Sequence, residues 1–363
     1  MLLLTYMGEK MSALRTTPLT EWHRENGAKL VPFAGFEMPV QYKGIIVEHK
    51  HTREKAGVFD ISHMGEFKLS GKGAKDALNK VVTQNLDTLA PGKCRYGFLP
   101  NEKGGVLDDL IIYCLGEDSY MLVVNGSCEE GDFNWIDSKL PEGIDFENIS
   151  YETAKIDLQG PLALDILESV FGRDFKHLKY FNFEQTEFDG YELIISRTGY
   201  TGELGYEFYL PADKAQSLWE KIVADERVEP IGLGARDTLR LELGYPLYGQ
   251  DLDTDHNPRE GGYSFLLSAD AYTDVKELLI PLVIEGRRSA RHGDKVLLDD
   301  KEVGVVTSGS FSPTLGYSIA LAYVAKDAAE ADTFMVQGAR TKLEAKKSEL
   351  PFYKEGTARK KLD

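Results

Sequence analysis

Hydrophobic positions change period along the chain, and this change predicts a mixture of strands and helices. Residues 104–113 begin with two glycines and continue into β-branched and aromatic residues, which predicts a tight turn followed by a strand. Residues 93–99 precede this strand, and residues 120–125 follow it after a Gly-Glu-Asp-Ser turn. The three segments predict an antiparallel meander.

Helical spacing alternates with further strand-like runs before residue 250. The stretch 31–40 is aromatic and contains glycine, so we expect no regular structure there. Strands are predicted at residues 154–159, 191–197 and 206–210. Helices are predicted at residues 16–30, 44–56, 73–82, 130–140, 161–171 and 212–224. Antiparallel strands with helices laid on them predict an α+β fold.

The last part of the chain has a different pattern. Short strands follow one another there without a helix between them, and turn residues separate them. This arrangement predicts a small barrel or sandwich. The strands are predicted at residues 280–284, 295–298, 303–308, 319–324, 333–336 and 341–345.

Length and charge limit the possible functions. A chain of 363 residues is too long for one ordinary core, so we expect two or three domains. The formal net charge of −17 argues against a nucleic-acid partner, because binding phosphates requires a basic surface. The three cysteines have no C-x-x-C spacing, which fits a reducing compartment. The apolar run at residues 2–4 is too short for a signal peptide or a membrane span, so we expect a cytoplasmic protein.

Two adjacent carboxylates, Asp108 and Asp109, lie where the apolar strand begins. Neighbouring side chains of a strand point to opposite faces, so the two cannot share a role. We expect one to face solvent or a turn amide. The other would face a pocket or core, where it needs a hydrogen-bond or cationic partner. A pair of turn aspartates that cap their own backbone is an equally good interpretation of this segment alone.

Other ionisable residues also lie in apolar, tyrosine-rich surroundings. Glu207 interrupts an aromatic strand, and Arg236 opens an apolar helix. Together with Asp109 and the tyrosines, they suit a flat heteroaromatic ligand that bears N–H donors. Structural ion pairs are the alternative for each residue alone. The tyrosines of this group are Tyr96, Tyr113 and Tyr200.

Several common sites are disfavoured. The Gly-rich segment at residues 232–237 lacks the third glycine of a dinucleotide fingerprint, and we find no phosphate loop and no nucleophile elbow. His49 and His51 are two residues apart on a predicted helix and face away from each other. With His63 they fit surface histidines better than a metal site, so we expect no metal.

Ordered motifs give a more specific indication: Phe-Ala-Gly-Phe-Glu-Met-Pro at 33–39, Phe-Asp-Ile-Ser-His-Met-Gly-Glu at 59–66, Gly-Gly-Val-Leu-Asp-Asp-Leu at 104–110, Ser-Arg-Thr-Gly-Tyr-Thr-Gly-Glu at 196–203, Gly-Leu-Gly-Ala-Arg-Asp at 232–237, Tyr-Gly-Gln-Asp at 248–251 and Thr-Ser-Gly-Ser-Phe-Ser-Pro-Thr-Leu-Gly at 307–316. In this order, over about residues 11–360, they resemble the aminomethyltransferase (T-protein) family of the glycine cleavage system.

The resemblance implies a fold and a reaction. The family fold is a three-domain cloverleaf around a central folate-binding hole, with a small β-barrel as the last domain. We therefore predict a first α+β domain from residues 11–56 and about 150–240, a second antiparallel-sheet domain from about 57–149 and 241–278, and a barrel from about 279–363. The implied reaction moves the methylene carbon of an aminomethyl group from the dihydrolipoyl arm of H-protein to tetrahydrofolate, and ammonia is released.

The resemblance also implies roles for individual residues. The catalytic aspartate of the family matches Asp109, which would offset positive charge on the reacting carbon. Glu207 and Arg236 match folate-contacting positions; the first would accept pterin N–H donors and the second would contact the polar tail. The remaining predicted folate-binding residues are Tyr96, Tyr113, Asn125 and Tyr200.

Two segments depart from the family pattern. The segment at 263–279 is shorter than expected, and the basic residues 359–361 fit a solvated tail.

Two alternative functions use the same fold. A folate-dependent iron–sulfur maturation protein would carry a cysteine in the stretch at 243–251, which has none. The other alternative is a non-catalytic folate-binding scaffold, which the presence of Asp109, Glu207 and Arg236 disfavours.

Overall fold

A computed structural model describes residues 14–362, and these form nineteen strands and seven α-helices. The strands are β1 Lys29–Phe33, β2 Phe36–Gln41, β3 Ala56–Asp60, β4 Gly65–Ser70, β5 Cys94–Pro100, β6 Val106–Gly116, β7 Ser119–Val124, β8 Asp145–Asn148, β9 Thr153–Gln159, β10 Phe183–Phe188, β11 Tyr191–Ser196, β12 Gly205–Pro211, β13 Val228–Pro230, β14 Glu277–Ile284, β15 Lys295–Leu298, β16 Lys301–Phe311, β17 Ser318–Ala325, β18 Thr333–Gln337 and β19 Lys342–Lys347. The helices are α1 Thr20–Glu25, α2 Ile45–Glu54, α3 Ala74–Leu78, α4 Glu129–Asp137, α5 Ala163–Phe171, α6 Ala215–Val223 and α7 Leu233–Glu242. Short 3₁₀ turns lie at Leu86–Thr88, Ala212–Lys214 and Ser264–Leu266.

The first sheet has six strands in the order β10-β11-β12-β9-β3-β13. Its pairs are antiparallel except for β13 with β3 at one edge. Alternation along β9 sends Ala154, Ile156 and Leu158 into the core that α5 and α6 cover. The opposite face of β9 carries Lys155 and Asp157, which is unusual for buried positions.

The second sheet has five strands in the order β5-β6-β7-β4-β8, and all its pairs are antiparallel. The predicted meander of β5, β6 and β7 is confirmed. Leu110 and Ile112 of β6 join a core with Phe67 and Leu122, while Asp109 and Ile111 point away from that core. One face of each of the first two sheets is thus free to line a site.

The third sheet is a closed barrel in the order β14-β17-β16-β15-β18-β19. Its core is made of small and branched residues such as Val306, Ala320 and Val336, which are fully buried. All six strands that the sequence predicted after residue 279 are present. The α+β fold class with a final small barrel is therefore confirmed.

The stretch that we expected to be irregular is a two-stranded hairpin of β1 and β2. Ala34 and Gly35 both have positive φ, at 49° and 78°, and make the tight turn. Pro32 and Pro39 are tolerated because each strand of a two-stranded hairpin has an outer edge, where a residue need not donate a backbone N–H. The prediction failed because it took the glycine as a sign of irregular backbone, whereas Gly35 lies in the turn that joins the two strands.

The three-domain division stays a prediction, but the sheets bear on its boundaries. β3 pairs with β9, so the first sheet includes residues 57–60, which the prediction assigned to the second domain. Residues 11–13 of the predicted first domain and the N-terminal apolar run at 2–4 lie outside the described residues. Among the helices of residues 14–362, none is long and apolar enough to cross a membrane.

Candidate functional site

A cavity of about 3220 Å³ lies where the two sheets, α7 and the barrel meet. Its lining includes Asp109 from β6, Glu207 from β12, Arg236 from α7 and Phe311 from the barrel. Pockets that hold drug-sized ligands are typically about 300–1,000 Å³. The space therefore exceeds the needs of one small molecule and could take a second extended group.

Asp109 lies on the cavity wall and is held by two neighbours. The Tyr96 hydroxyl donates to Asp109 Oδ2 at 3.0 Å, and Asn125 Nδ2 donates to Asp109 Oδ1 at 3.0 Å. Burial, followed by the charge of Asp108, raises the pKa of Asp109 to about 7. The carboxyl is thus poised to change protonation near neutral pH, which is common at functional sites.

Asp108 points to the opposite face of β6, as predicted; it is buried from solvent and faces the backbone amide at which the turn 125–128 begins. Both its oxygens accept from Asn125, Oδ2 from the backbone N–H and Oδ1 from Nδ2, each at 2.8 Å. Burial raises the pKa of Asp108 to about 6. The turn before β6 is capped instead by Asn101, whose Oδ1 accepts from two backbone N–H groups, so the interpretation as a self-capping aspartate pair is wrong.

A second buried carboxyl, Asp132, adjoins Asp108. With the Cys128 thiol, their potential metal-ligating atoms lie within 4.8 Å of one another, and Asp132 Oδ2 has no hydrogen-bond partner among the described residues. Burial and the charge of Asp108 raise the pKa of Asp132 to about 11. A proton shared by the two carboxyls satisfies this arrangement. The expected absence of metal stays a prediction.

Glu207 is the carboxylate on the other sheet, and its side chain is 4% exposed. Lys155 Nζ lies 3.0 Å from Glu207 Oε1, and the Thr198 hydroxyl donates to Oε2. Burial opposes ionisation of Glu207. The charge of Lys155 and the bond from Thr198 outweigh that effect and lower the pKa of Glu207 below its ordinary value. This carboxylate is ionised and can accept N–H donors.

Arg236 and Tyr200 form the neighbouring part of the wall. Arg236 Nη1 donates to Asp157 Oδ2 at 2.8 Å, and its guanidinium lies 4.9 Å from the centre of the Tyr200 ring. Tyr200 donates its hydroxyl to the carbonyl of Pro246 and stacks on Tyr245 with ring centres 5.8 Å apart. The pair therefore presents a fixed aromatic face beside a fixed cation.

The structure brings six of the seven predicted site residues to the cavity. The exception is Tyr113, which is fully buried behind the wall. It is on the same face of β6 as Asp109 but about 14 Å further along the strand. Its hydroxyl lies 2.9 Å from that of Tyr209, and Phe183 packs on its ring. In this structure Tyr113 supports the wall and does not reach the cavity.

The expectation of surface histidines is wrong for two of the three. His49 is buried between Thr238 and Thr314, at 2.8 Å from each hydroxyl, and His63 is 7% exposed, so these are not surface histidines. The side chains of residues 359–361 are exposed, as expected of a solvated tail, but the segment is held at its backbone. Its backbone is docked because Arg197 donates to the carbonyl of Ala358 at 3.2 Å.

The segment at 263–279, where the chain departs from the family pattern, also borders the cavity. The Tyr263 ring packs against Tyr96 and Phe98 at 5.8 and 5.2 Å between ring centres. Phe265 on the adjoining turn is 77% exposed and lines the cavity opening. The segment thus forms part of the wall next to Asp109.

Two charges at the site were not predicted from the sequence: Lys155, which lines the cavity, and Asp157, which is buried behind Arg236. Lys155 pairs with Glu207 and Asp157 pairs with Arg236, so each charged residue that lines this side of the cavity has a partner of opposite charge. The only signal in the sequence was the alternation of Lys155, Asp157 and Gln159 with apolar residues in one short strand. That pattern reads equally well as a solvent-exposed face.

Two family models match the chain one after the other. The GCVT N-terminal domain matches residues 19–271, and the glycine cleavage T-protein C-terminal barrel domain matches residues 278–354. The chain belongs to the glycine cleavage T-protein family. The barrel match coincides with the observed closed barrel, and the first match contains both sheets of the cavity. The function is that of an aminomethyltransferase of the glycine cleavage system.

Similar proteins agree with this assignment. The chain is 44% identical to an aminomethyltransferase of Halothermothrix orenii, over 87% of this chain and 93% of that protein. It is 40% identical to one of Chloroherpeton thalassium, over 93% and 99%. The crystal structure of glycine cleavage system aminomethyltransferase T from Bartonella henselae superposes with a TM-score of 0.89 at 32% identity, covering 95% of this chain and 99% of that one. The scaffold and maturation-protein alternatives are not favoured.

Proposed function

We propose that the chain transfers the methylene carbon of an aminomethyl group, carried on the lipoyl arm of H-protein, to tetrahydrofolate, with release of ammonia. Tetrahydrofolate would supply the nucleophilic nitrogen that accepts the carbon. The observation that carries the proposal is the pair of carboxylates on facing walls of one cavity, Asp109 held by Tyr96 and Asn125, and Glu207 held ionised by Lys155.

Asp109 is proposed as the catalytic group. As ammonia leaves, positive charge develops on the carbon, and a fixed carboxylate nearby stabilises it. The bonds from Tyr96 and Asn125 orient the carboxylate before the reaction, so little reorganisation is needed. With a pKa of about 7, Asp109 is partly protonated near neutral pH. A positively charged reactant beside it would lower this pKa and so favour the ionised form that the step requires.

Glu207, Arg236 and Tyr200 are proposed to hold the folate. An ionised carboxylate suits two adjacent N–H donors of a pterin ring, and the Tyr200 ring offers an aromatic face. Arg236 keeps N–H donors beyond its bond to Asp157, and these suit a ligand oxygen. The cavity volume of about 3220 Å³ fits a folate together with the lipoyl arm of a partner protein.

Ammonia release tests the proposal. Purified protein is mixed with aminomethylated H-protein, with and without tetrahydrofolate, and ammonia is measured over time. Rapid release that depends on tetrahydrofolate supports the proposed reaction. Equal release with and without it would refute folate as the acceptor.

A further inference from the structure

The cavity floor holds a buried lysine for which the proposed reaction has no direct use. Lys155 on β9 has a side chain that is 2% exposed, and it lies in register with Tyr209 of β12. Leaving a lysine ammonium in such a place is costly unless it is paired. The pairing must therefore offset a large desolvation cost.

The partner of Lys155 is the proposed folate-binding carboxylate. Lys155 Nζ lies 3.0 Å from Glu207 Oε1, and its other near contact is the weak acceptor Met64 Sδ at 3.3 Å. Glu207 Oε2 accepts from the Thr198 hydroxyl. The carboxylate is thus fixed from two sides while its edge still lines the cavity.

We propose that Lys155 is a positioning residue for Glu207: it keeps this carboxylate ionised and oriented, and so sets the pH range over which the N–H donors of a pterin ring are bound. The inference rests on the proposed function, because it assumes that Glu207 accepts from the folate ring. Lys155 itself need not touch the ligand.

Glu207 has few other sources of positive charge. Arg236 on α7 faces it but is paired with Asp157 at 2.8 Å. The remaining groups that face it are acidic or neutral, and ionised acids among them disfavour its charge. They are Asp157 on β9, Tyr209 on its own strand, Cys94 and Tyr113 on the second sheet, and Glu66 on β4.

Removal of the ammonium should therefore raise the pKa of Glu207. A neutral carboxyl carries a proton where the ring N–H must donate, so it binds the ring poorly. The ionised form returns as pH rises through the raised pKa. Hence a variant without the lysine should bind folate poorly at low pH and recover as pH increases.

The test compares tetrahydrofolate dissociation constants of Lys155→Met and Lys155→Arg with the unaltered protein between pH 6 and 8.5. Asp109 is present in all three, so its titration cancels in the ratios. For Lys155→Met we expect binding weakened roughly tenfold or more at pH 6, and less at each higher pH. Lys155→Arg, which keeps the charge, should stay within about threefold.

A double-substitution cycle with Glu207→Gln separates a positioning role from other roles. In the Glu207→Gln background, Lys155→Met should cause little further loss, because the lysine acts through the carboxylate. The double variant lacks both buried charges, so neither is left unpaired, and this favours its folding. A pH-independent loss from Lys155→Met that persists in the Glu207→Gln background would overturn the inference.

Other outcomes separate this inference from the proposed function. If the unaltered protein binds tetrahydrofolate and Glu207→Gln weakens binding while Lys155→Met does not, the inference is wrong and the proposed function stands. If the unaltered protein does not bind tetrahydrofolate, both are wrong.

Discussion

The substitution Asp109→Asn tests the catalytic proposal and has two expected effects of opposite sign. The amide is nearly isosteric and keeps an oxygen for the bond from Asn125, but it has no charge. Loss of one preorganised electrostatic group typically costs about 10²–10³ in turnover, or about 2.7–4 kcal/mol. We therefore expect turnover to fall by about 10² or more, with little change in folate affinity.

The same change should stabilise the folded protein above neutral pH. Folding raises the pKa of Asp109 from 3.8 to about 7, so the ionised carboxyl costs stability that is absent below pH 3.8 and complete above pH 7. Roughly three pH units at about 1.4 kcal/mol each give an upper limit of about 4 kcal/mol. Asp109 is partly exposed to the cavity, so we expect a gain of about 2 kcal/mol at pH 8.

Two assays measure these effects. Transfer from aminomethylated H-protein gives turnover, and urea unfolding at pH 5 and pH 8 gives the free energy of unfolding. Asp300→Asn is the matched control, because Asp300 has a side chain that is 85% exposed on the barrel. Turnover of Asp109→Asn within about threefold of the unaltered protein would refute the catalytic role. A loss of stability at pH 8 would refute the electrostatic reasoning.

Three further predictions concern the surroundings of this carboxylate. Asp132→Asn should raise the free energy of unfolding, and by more at pH 8 than at pH 6, because the carboxyl, with a folded-state pKa of about 11, must take up a proton on folding and the amide need not. Asp132→Leu, which also loses the polar group, should be about 1–3 kcal/mol less stable than Asp132→Asn. Tyr96→Phe removes a bond that lowers the pKa of Asp109, so the acid limb of the kcat/KM profile should move to higher pH. Gly105→Ala should lower the free energy of unfolding in urea by more than about 2 kcal/mol, because the new Cβ would lie 1.9 Å from a backbone carbonyl oxygen. The control Gly131→Ala, which has open space around it on a helix, should raise the free energy of unfolding by about 0.5–1 kcal/mol.

Local patterns were sufficient where neighbours along the chain also pair in space. Both strand pairs of the β5-β6-β7 meander and three of the six pairs of the barrel join consecutive antiparallel strands, and here period-two alternation and turn residues predicted the strands. The same alternation predicted that Asp108 and Asp109 face opposite ways, and the family resemblance indicated Asp109 as the residue of the site. In these regions the sequence determines the strand and which of its side chains share a face.

Long-range packing decided what the sequence could not predict. His49 is buried because α2 packs against α7, nearly two hundred residues later, where Thr238 meets its ring. Lys155 and Asp157 lie in a strand whose alternation also fits a solvent-exposed face. In the fold they pair with Glu207 of β12 and Arg236 of α7. Tyr113 is on the same face of β6 as Asp109, but this was not enough to place it in the cavity, because it lies further along the strand and is fully buried.

The most direct test of the account follows the carbon itself. Aminomethylated H-protein carrying an isotope-labelled methylene carbon is mixed with excess enzyme and tetrahydrofolate, and NMR follows the label through one turnover. The account predicts that the label appears in 5,10-methylenetetrahydrofolate at the rate of ammonia release. Label that remains on H-protein or appears as free formaldehyde while tetrahydrofolate is bound would contradict it.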